Sequence, residues 1–123
     1  MRKLTYAQAI NEAQAIALTR DSSVFLIGEG VPDAKGIFGT TVGLADKFPG
    51  RVLDMPVAEN GMTGICVGAA ISGMRPIIVH ARMDFTLMAF DAIANTAAKC
   101  FFMFGQQQSV PIVIRMIVGR GWG

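Results

Sequence analysis

The sequence predicts an α/β protein in which helices cover both faces of a parallel sheet. Short runs of apolar residues alternate along the chain with longer segments that have helical periodicity. Apolar runs without polar alternation are typical of strands buried on both faces. The alternation of elements is typical of parallel strands joined by right-handed crossovers. Residues 1–123 are expected to form one domain whose fold is incomplete at its C-terminal side.

Composition excludes several classes of protein. Of the 123 residues, 52% are hydrophobic and 16% are charged, which excludes a disordered chain. So little polar material suggests that apolar surface faces a partner, an interface or further polypeptide. The basic residues form no stripe with aromatics, the cysteines lack metal-ligand spacing, and polar residues interrupt the long apolar stretches. We therefore expect no nucleic-acid, metal or membrane site, and a soluble cytoplasmic protein.

The first elements are a capped helix and a short strand. Thr5 and Gln8 have the spacing of a capping box, so a helix is expected to run to about Arg20. Five residues at helical spacing are predicted to form its buried face: Tyr6, Ala9, Ile10, Ala13 and Ala17. Residues 24–27 predict the first strand, and a short helix is expected over residues 41–48.

A strand-to-helix corner over residues 54–64 is the most informative part of the sequence. The second strand is expected over residues 51–54 and a helix over residues 61–72. Glu59 lies between them, outside the carboxyl end of a strand, where α/β proteins commonly place chemistry. Three glycines of this helix are expected to allow close packing against the sheet or another subunit: Gly61, Gly64 and Gly68.

The second half of the chain repeats the pattern of strand and helix. A third strand is expected over residues 77–81 and a fourth over residues 110–118. Asp84 is a suitable N-cap for a long helix between them, with Gly105 as its C-terminal stop. Eight residues are predicted on the buried side of that helix: Phe85, Met88, Ala89, Ala92, Ile93, Thr96, Ala97 and Cys100.

Carboxylates are the side chains best suited to carry chemistry. Gly28 and Gly30 begin a pattern like the dinucleotide-binding motif, but no helix-opening glycine completes it. A lone histidine such as His80 is most often structural. Glu29 and Glu59 are expected to approach each other, because the carboxyl ends of parallel strands meet at one edge of a sheet. A helix start favours the charged form of Glu59, whereas apolar neighbours disfavour it, so its protonation state stays open.

Five motifs make the chain resemble a known enzyme family. They are LTYAQAINEA at residues 4–13, FLIGE at 25–29, DMPVAENG at 54–61, MDF at 83–85 and ANTAAK at 94–99. Together they resemble the β subunit of thiamine-diphosphate-dependent 2-oxoacid dehydrogenases, of the pyruvate, branched-chain and acetoin types. The resemblance covers essentially the whole chain. It implies the first part of the pyrimidine-binding, transketolase-like domain of that E1 component.

The resemblance implies a catalytic role for Glu59. In that family the matching glutamate hydrogen-bonds N1′ of the aminopyrimidine and favours the imino tautomer, which takes the proton from C2 of the thiazolium. Glu29 resembles an acidic residue between paired active sites, a candidate member of a proton relay. The other pyrimidine contacts that the resemblance implies are Val57, Ala81, Phe85 and Met88. The carbanion chemistry itself belongs to the cofactor.

The resemblance also implies partners. In the family, the motif that binds Mg²⁺ and diphosphate belongs to an α subunit, and this sequence lacks that motif. The chain is therefore expected to hold the pyrimidine half of thiamine diphosphate and to be inactive alone. An α2β2 assembly with a second β subunit is expected, with acyl transfer to the lipoyl group of an E2 component. Two alternatives stay open: a non-catalytic interaction module that retains the fold, and a transketolase-like enzyme acting on sugars.

Overall fold

The computed structural model describes residues 2–119, which contain a four-stranded, fully parallel sheet. The strands are β1 (Val24–Gly28), β2 (Val52–Leu53), β3 (Arg75–His80) and β4 (Val113–Met116). Their order across the sheet is β2-β1-β3-β4, and all three pairings are parallel. The predicted fold class and the four predicted strands are confirmed.

Helical segments connect the strands. The α-helices of the described residues are α1 (Tyr6–Arg20), α2 (Gly36–Gly39), α3 (Leu44–Lys47), α4 (Glu59–Ile71), α5 (Met83–Thr86) and α6 (Ala98–Met103). A 3₁₀ turn over Leu87–Ala89 and a π-helical stretch over Ala92–Ala97 lie between α5 and α6. The long helix predicted after β3 is therefore present, but its hydrogen bonding is not uniformly α-helical.

Each face of the sheet carries a hydrophobic core. One cluster consists of Leu18, Val24, Leu26, Val31, Leu44, Phe48, Val52, Ile77 and Val79. The opposite cluster consists of Ile27, Met55, Cys66 and Ile78. Neighbouring strand residues such as Leu26 and Ile27 fall in different clusters, because side chains alternate across a strand. As predicted, helices cover both faces: α1 and α3 contribute to the first cluster and α4 to the second.

The start of α1 is confirmed, whereas its predicted buried face is confirmed at Ala17, which packs against the first cluster, and wrong at Tyr6. Thr5 and Gln8 make both hydrogen bonds of the capping box. Tyr6 is 91% exposed, whereas Gln14 is buried. Gln14 tolerates burial because its Nε2 donates to the carbonyl oxygen of Thr40 at 2.7 Å. A search for apolar residues alone therefore overlooks Gln14 as part of the buried face of this helix.

The prediction that Asp84 caps a helix is also wrong. Arg82 occupies the N-cap position of α5, and Asp84 is the second residue of the helix. The Asp84 carboxylate lies 3.7 Å from Nε of Arg82. Gly105 does end the helical stretch, with a φ of 61° and its N–H donating to the carbonyl of Phe102.

The irregular helical stretch also changes which side chains are buried. Ala89, Ala92 and Cys100 are buried as predicted. Three residues predicted on the buried side are exposed: Phe85, Met88 and Thr96. The changes between α, 3₁₀ and π geometry alter the rotation per residue, so regular α-helical spacing misplaces these side chains.

The glycines differ in what surrounds them. A Cβ at Gly61, Gly64 or Gly68 would meet nothing within 4 Å among the described residues. Their predicted packing against the sheet is therefore wrong, while packing against another subunit stays a prediction. A Cβ at Gly28 would lie 2.4 Å from the carbonyl oxygen of Val79, so the close approach of β1 and β3 requires glycine there.

Candidate functional site

The carboxyl ends of the strands place four polar residues at one edge of the sheet. Glu29 directly follows β1, Asp54 directly follows β2, and His80 ends β3. Glu59 is the first residue of α4, at the corner that follows β2. The charge of Glu59 acts on both Glu29 and His80. This electrostatic influence of Glu59 on Glu29 agrees with their expected approach, and it extends to His80.

Asp54 joins the two loops that carry the glutamates. Its Oδ1 accepts hydrogen bonds from the backbone N–H groups of Gly30 and Met55, each at 2.9 Å. This bridge fixes the loop after β1 relative to the loop after β2. Asp54 therefore has a structural role at this edge, because it fixes the segments that carry Glu29 and Glu59 relative to each other.

Glu29 is the member of this group whose carboxyl pKa the fold shifts. Its Oε1 is buried without a hydrogen-bond partner within residues 2–119. Burial raises the pKa of the Glu29 carboxyl, and the negative charges of Glu59 and Asp54 raise it further. A carboxyl with a raised pKa at the end of a strand is suited to proton transfer.

His80 links the end of β3 to α4. The ring is 1% exposed, and its Nε2 lies 3.3 Å from Oγ1 of the buried Thr63. Thr63 stands one helical turn after Glu59, so this contact supports the turn that carries the carboxylate. Burial lowers the pKa of the imidazole, and the charge of Glu59 opposes that effect. Its position in the sequence predicts a structural role for His80, but no sequence pattern indicates the contact with Thr63.

The four apolar residues that the resemblance implies as pyrimidine contacts lie on the segments that follow β2 and β3. Val57, in the loop between β2 and α4, is 81% exposed. Ala81 directly follows β3, and Phe85 in α5 is 43% exposed. Met88 lies in the 3₁₀ turn that packs against α4 and is 69% exposed. These side chains give the edge apolar surface that is available for contact.

A small cavity at this edge was not predicted. It has a volume of about 190 Å³ and is lined by Phe38, Arg82, Ile117 and Gly119. Arg82 follows β3 and Ile117 follows β4, which places the cavity beside the strand ends. Phe38 and its neighbour Ile37 have φ angles of 55° and 34°. Positive φ is uncommon outside glycine, so no local sequence signal indicates this loop conformation.

Three further observations concern residues 2–119 outside this edge. Among residues 2–119, no three His, Cys, Asp or Glu side chains gather as a metal site would require. None of the helices in this range combines the length and apolar character needed to cross a bilayer. Cys66 and Cys100 are buried and form no disulfide.

Comparison with known proteins agrees with this geometry. Residues 2–121 match the family model "Transketolase, pyrimidine binding domain". The chain is 42% identical to the pyruvate dehydrogenase E1 component subunit beta of Pisum sativum mitochondria over 123 residues, 99% of this chain and 34% of that protein. It is 42% identical to the corresponding Rickettsia conorii subunit over 114 residues, 92% of this chain and 35% of that subunit.

A third relative is named for a different activity. The chain is 44% identical to the acetoin:2,6-dichlorophenolindophenol oxidoreductase subunit beta of Cupriavidus necator over 131 residues, 98% of this chain and 39% of that protein. The chain thus spans little more than a third of the length of these relatives. Because the family model covers nearly every residue, this chain belongs to the transketolase pyrimidine-binding domain family.

Proposed function

We propose that this chain forms the pyrimidine-binding part of an E1 β subunit in a thiamine-diphosphate-dependent 2-oxoacid dehydrogenase. The observation that carries the proposal is the position of Glu59, at the start of α4 and close to Glu29 and His80. The similarity to pyruvate dehydrogenase and acetoin oxidoreductase β subunits supports it. That similarity favours a dehydrogenase over a sugar-converting enzyme or a non-catalytic module.

The residues at this edge are suited to an aminopyrimidine ring. Such a ring has apolar faces and a polar edge of ring nitrogens and an amino group. Val57, Phe85 and Met88 expose apolar surface that the ring faces would bury. Glu29 has a buried oxygen without a partner, which an N–H donor would satisfy. Thiamine diphosphate, when bound, supplies the carbanion chemistry of decarboxylation.

We assign the transfer of protons at this site to Glu59 and Glu29. Glu59 would hold a proton at N1′ of the aminopyrimidine, and the contact between His80 and Thr63 would keep its helical turn in place. Glu29, whose pKa is raised by burial and by neighbouring carboxylates, would exchange a proton with that site as a relay member. Val57, Ala81, Phe85 and Met88 would orient the ring and exclude water.

We infer that a complete site needs partners. An α-type subunit would supply the groups for diphosphate and Mg²⁺, and a second β subunit would complete an α2β2 assembly. A lipoyl-bearing E2 component would accept the acyl group. The E1 β subunits among the relatives support an α partner. We also propose a cytoplasmic location, which two unpaired cysteines support.

The assignment of Glu59 is tested in a complex reconstituted with an α-type subunit. Glu59→Gln keeps the shape of the side chain and removes its ability to exchange a proton. We expect 2-oxoacid turnover to fall roughly 100-fold to 10,000-fold, the usual range for loss of a general acid–base group. Glu12→Gln, on the surface of α1, is the matched control and should leave turnover unchanged. Unchanged turnover in Glu59→Gln would contradict the proposal.

A further inference from the structure

Two buried polar atoms without partners belong to the ends of neighbouring strands. Oε1 of Glu29 and Nδ1 of His80 are buried and have no hydrogen-bond partner among residues 2–119. Glu29 directly follows β1 and His80 ends β3, and all five residues of β1 pair with β3. Buried polar atoms of folded proteins nearly always have a partner, which is often an ordered water. A single group between these two atoms would satisfy both.

The register of the sheet places the two side chains at matching positions. The ladder of β1 and β3 is in register up to the residues just before Glu29 and His80. Neighbouring strands lie about 4.7–4.9 Å apart. Two residues earlier on each strand, Ile27 and Ile78 both belong to the second cluster, under α4. Because side chains alternate across a strand, Glu29 and His80 belong to this same side of the sheet.

The other ring nitrogen of His80 has a partner on α4. Its Nε2 lies 3.3 Å from Oγ1 of Thr63, a fully buried residue. A neutral imidazole has one N–H group and one nitrogen that accepts. If Nε2 donates to the threonine, Nδ1 is an acceptor, and if Nε2 accepts from the threonine, Nδ1 is a donor. The tautomer therefore depends on the group that Nδ1 meets.

The protonation of Glu29 determines which tautomer fits. A protonated carboxyl donates to a neighbouring water, which then donates to Nδ1, and the ring carries its hydrogen on Nε2. An ionised carboxyl accepts from that water, which then accepts from Nδ1. Hydrogen bonds that point in one direction along a chain strengthen one another. Burial raises the pKa of Glu29, so its protonated form persists to a higher pH than in an ordinary glutamate.

We propose that a water bridges Oε1 of Glu29 and Nδ1 of His80, and that the tautomer of His80 follows the protonation of Glu29. When Glu29 loses its proton, Nδ1 gains a hydrogen from water and Nε2 gives one up to water, so the ring stays neutral. Nε2 then accepts from the hydroxyl of Thr63 instead of donating to it. His80 is thus a positioning residue that joins the end of β1 to α4.

The consequence for catalysis rests on the proposed function. Thr63 stands one helical turn after Glu59, so a reversed hydrogen bond at Thr63 acts on the turn that carries this carboxylate. A change of protonation at Glu29 would therefore reach Glu59 through the ring of His80. Glu29 can still accept from a bound ring, because a carboxyl group has two oxygens with several acceptor positions.

Other charged groups near the ring do not provide the same link. Within residues 2–119, Glu59 is the charged side chain that acts on the pKa of the imidazole. Cys66, on the same side of the sheet, stays a neutral thiol because burial raises its pKa to about 11. Arg115 lines a groove with residues of α1, on the opposite side. Arg82 and Asp84, which follow β3, form an ion pair with each other.

The test is an NMR titration of the full chain without cofactor. The ¹⁵N shifts of the single histidine report which ring nitrogen carries the hydrogen, and the ¹³C shift of the Glu29 carboxyl reports its ionisation. We expect the Nδ1–H fraction to rise with pH at the same midpoint as the ionisation of Glu29. Glu29→Gln should abolish this rise, because an amide does not ionise.

Two variants are the controls. Glu12→Gln, on the surface of α1, removes a glutamate elsewhere and should leave the tautomer response unchanged. Glu59→Gln should lower the pKa of the ring but keep the tautomer response, since Glu29 and the water remain. A urea unfolding curve shows that each variant is folded. A crystal structure of the original chain should show an ordered water within hydrogen-bond distance of both orphan atoms.

Several outcomes would overturn the proposal. A tautomer that stays constant across the titration would leave His80 with a purely structural role. A response that persists in Glu29→Gln, or whose midpoint differs from that of the Glu29 carboxyl, would assign it to another group. A crystal structure that shows other buried waters but none between these atoms would exclude the bridge. The proposed function fails separately, if Glu59→Gln leaves turnover of the reconstituted complex unchanged.

Discussion

The single histidine of this chain reports on the carboxylate proposed to be catalytic. His80 is buried at the end of β3, contacts Thr63 and experiences the charge of Glu59. Because the chain has one histidine, its ring signals need no assignment against other imidazoles. The protonation of this ring therefore gives a direct measurement of the electrostatics at the strand ends.

We expect the ring to stay neutral as pH falls below 6.5, the ordinary pKa of histidine, because burial disfavours the charged form. The unfolded chain binds the proton first, so the free energy of unfolding falls as pH drops through this window. NMR titration of the ring protons measures the pKa, and urea unfolding at each pH measures the stability.

A charge variant provides the control for this titration. The negative charge of Glu59 raises the pKa of His80, so Glu59→Gln should lower that pKa further. Glu12→Gln, on α1, should leave it unchanged. An imidazole that titrates at its ordinary value, or one that does not respond to Glu59→Gln, would show that the two groups are not close.

Sequence reasoning reached some of these residues and missed others for a physical reason. Glu29 and Glu59 were expected to converge because every parallel strand ends at the same edge of the sheet. The contact between His80 and Thr63 was not expected, since it depends on the rotation and height of α4 over β3. Topology is encoded in the order of elements, whereas side-chain contacts between elements need the packed structure.

At the scale of elements, glycine has two different functions in this chain. Gly28 lies where β1 meets β3, and a Cβ there would lie 2.4 Å from the carbonyl oxygen of Val79. Gly64 lies in α4, where a Cβ would meet nothing within 4 Å of the described chain. The two positions form a matched pair, because the same substitution meets backbone at one and open space at the other.

We expect Gly28→Ala to destabilise the chain by about 1–3 kcal/mol, because a backbone oxygen cannot move aside without shifting a strand. Gly64→Ala should stabilise the isolated chain by about 0.5–1 kcal/mol, since alanine favours a helix interior. Urea unfolding measures both. A destabilised Gly64→Ala would show that α4 needs glycine for its own geometry, and loss of subunit association in that variant would reveal a partner on this face.

The strands were easier to predict than the helix that follows β3. Apolar runs such as Ile77 to Val79 identify a buried strand without knowledge of its neighbours. The helical stretch from Met83 to Met103 changes between α, 3₁₀ and π geometry, and no residue pattern indicates where these changes occur. Its buried side was therefore predicted only in part, with Ala89 and Cys100 placed correctly and Phe85 placed wrongly.

At the scale of the whole molecule, the chain exposes apolar surface as its composition suggested. The end of α6 carries four large exposed residues in succession: Phe101, Phe102, Met103 and Phe104. Contiguous apolar surface of this kind usually marks an interaction site. Together with the site at the strand ends, it supports a protein that works within a larger assembly.

We expect the isolated chain to show no heat of binding with thiamine diphosphate and Mg²⁺ in calorimetry, and an α-type partner to restore binding. The physical reason is that the groups for diphosphate and Mg²⁺ are proposed to lie on the partner. Tight binding by the chain alone would contradict the proposed division of the site. Absence of binding in both cases, with association of the two proteins intact, would favour a non-catalytic module.

The all-parallel order of the sheet has a consequence for how the chain folds during synthesis. β1 ends at Gly28, and its longest ladder is with β3, which begins only at Arg75. Translation at roughly 5–20 residues per second needs on the order of several seconds to reach β3. During that time the apolar β1 lacks this neighbour. Pairing between distant segments is also intrinsically slow. The nascent chain therefore exposes its central strand for longer than a hairpin protein would, which favours capture by chaperones while it is still on the ribosome.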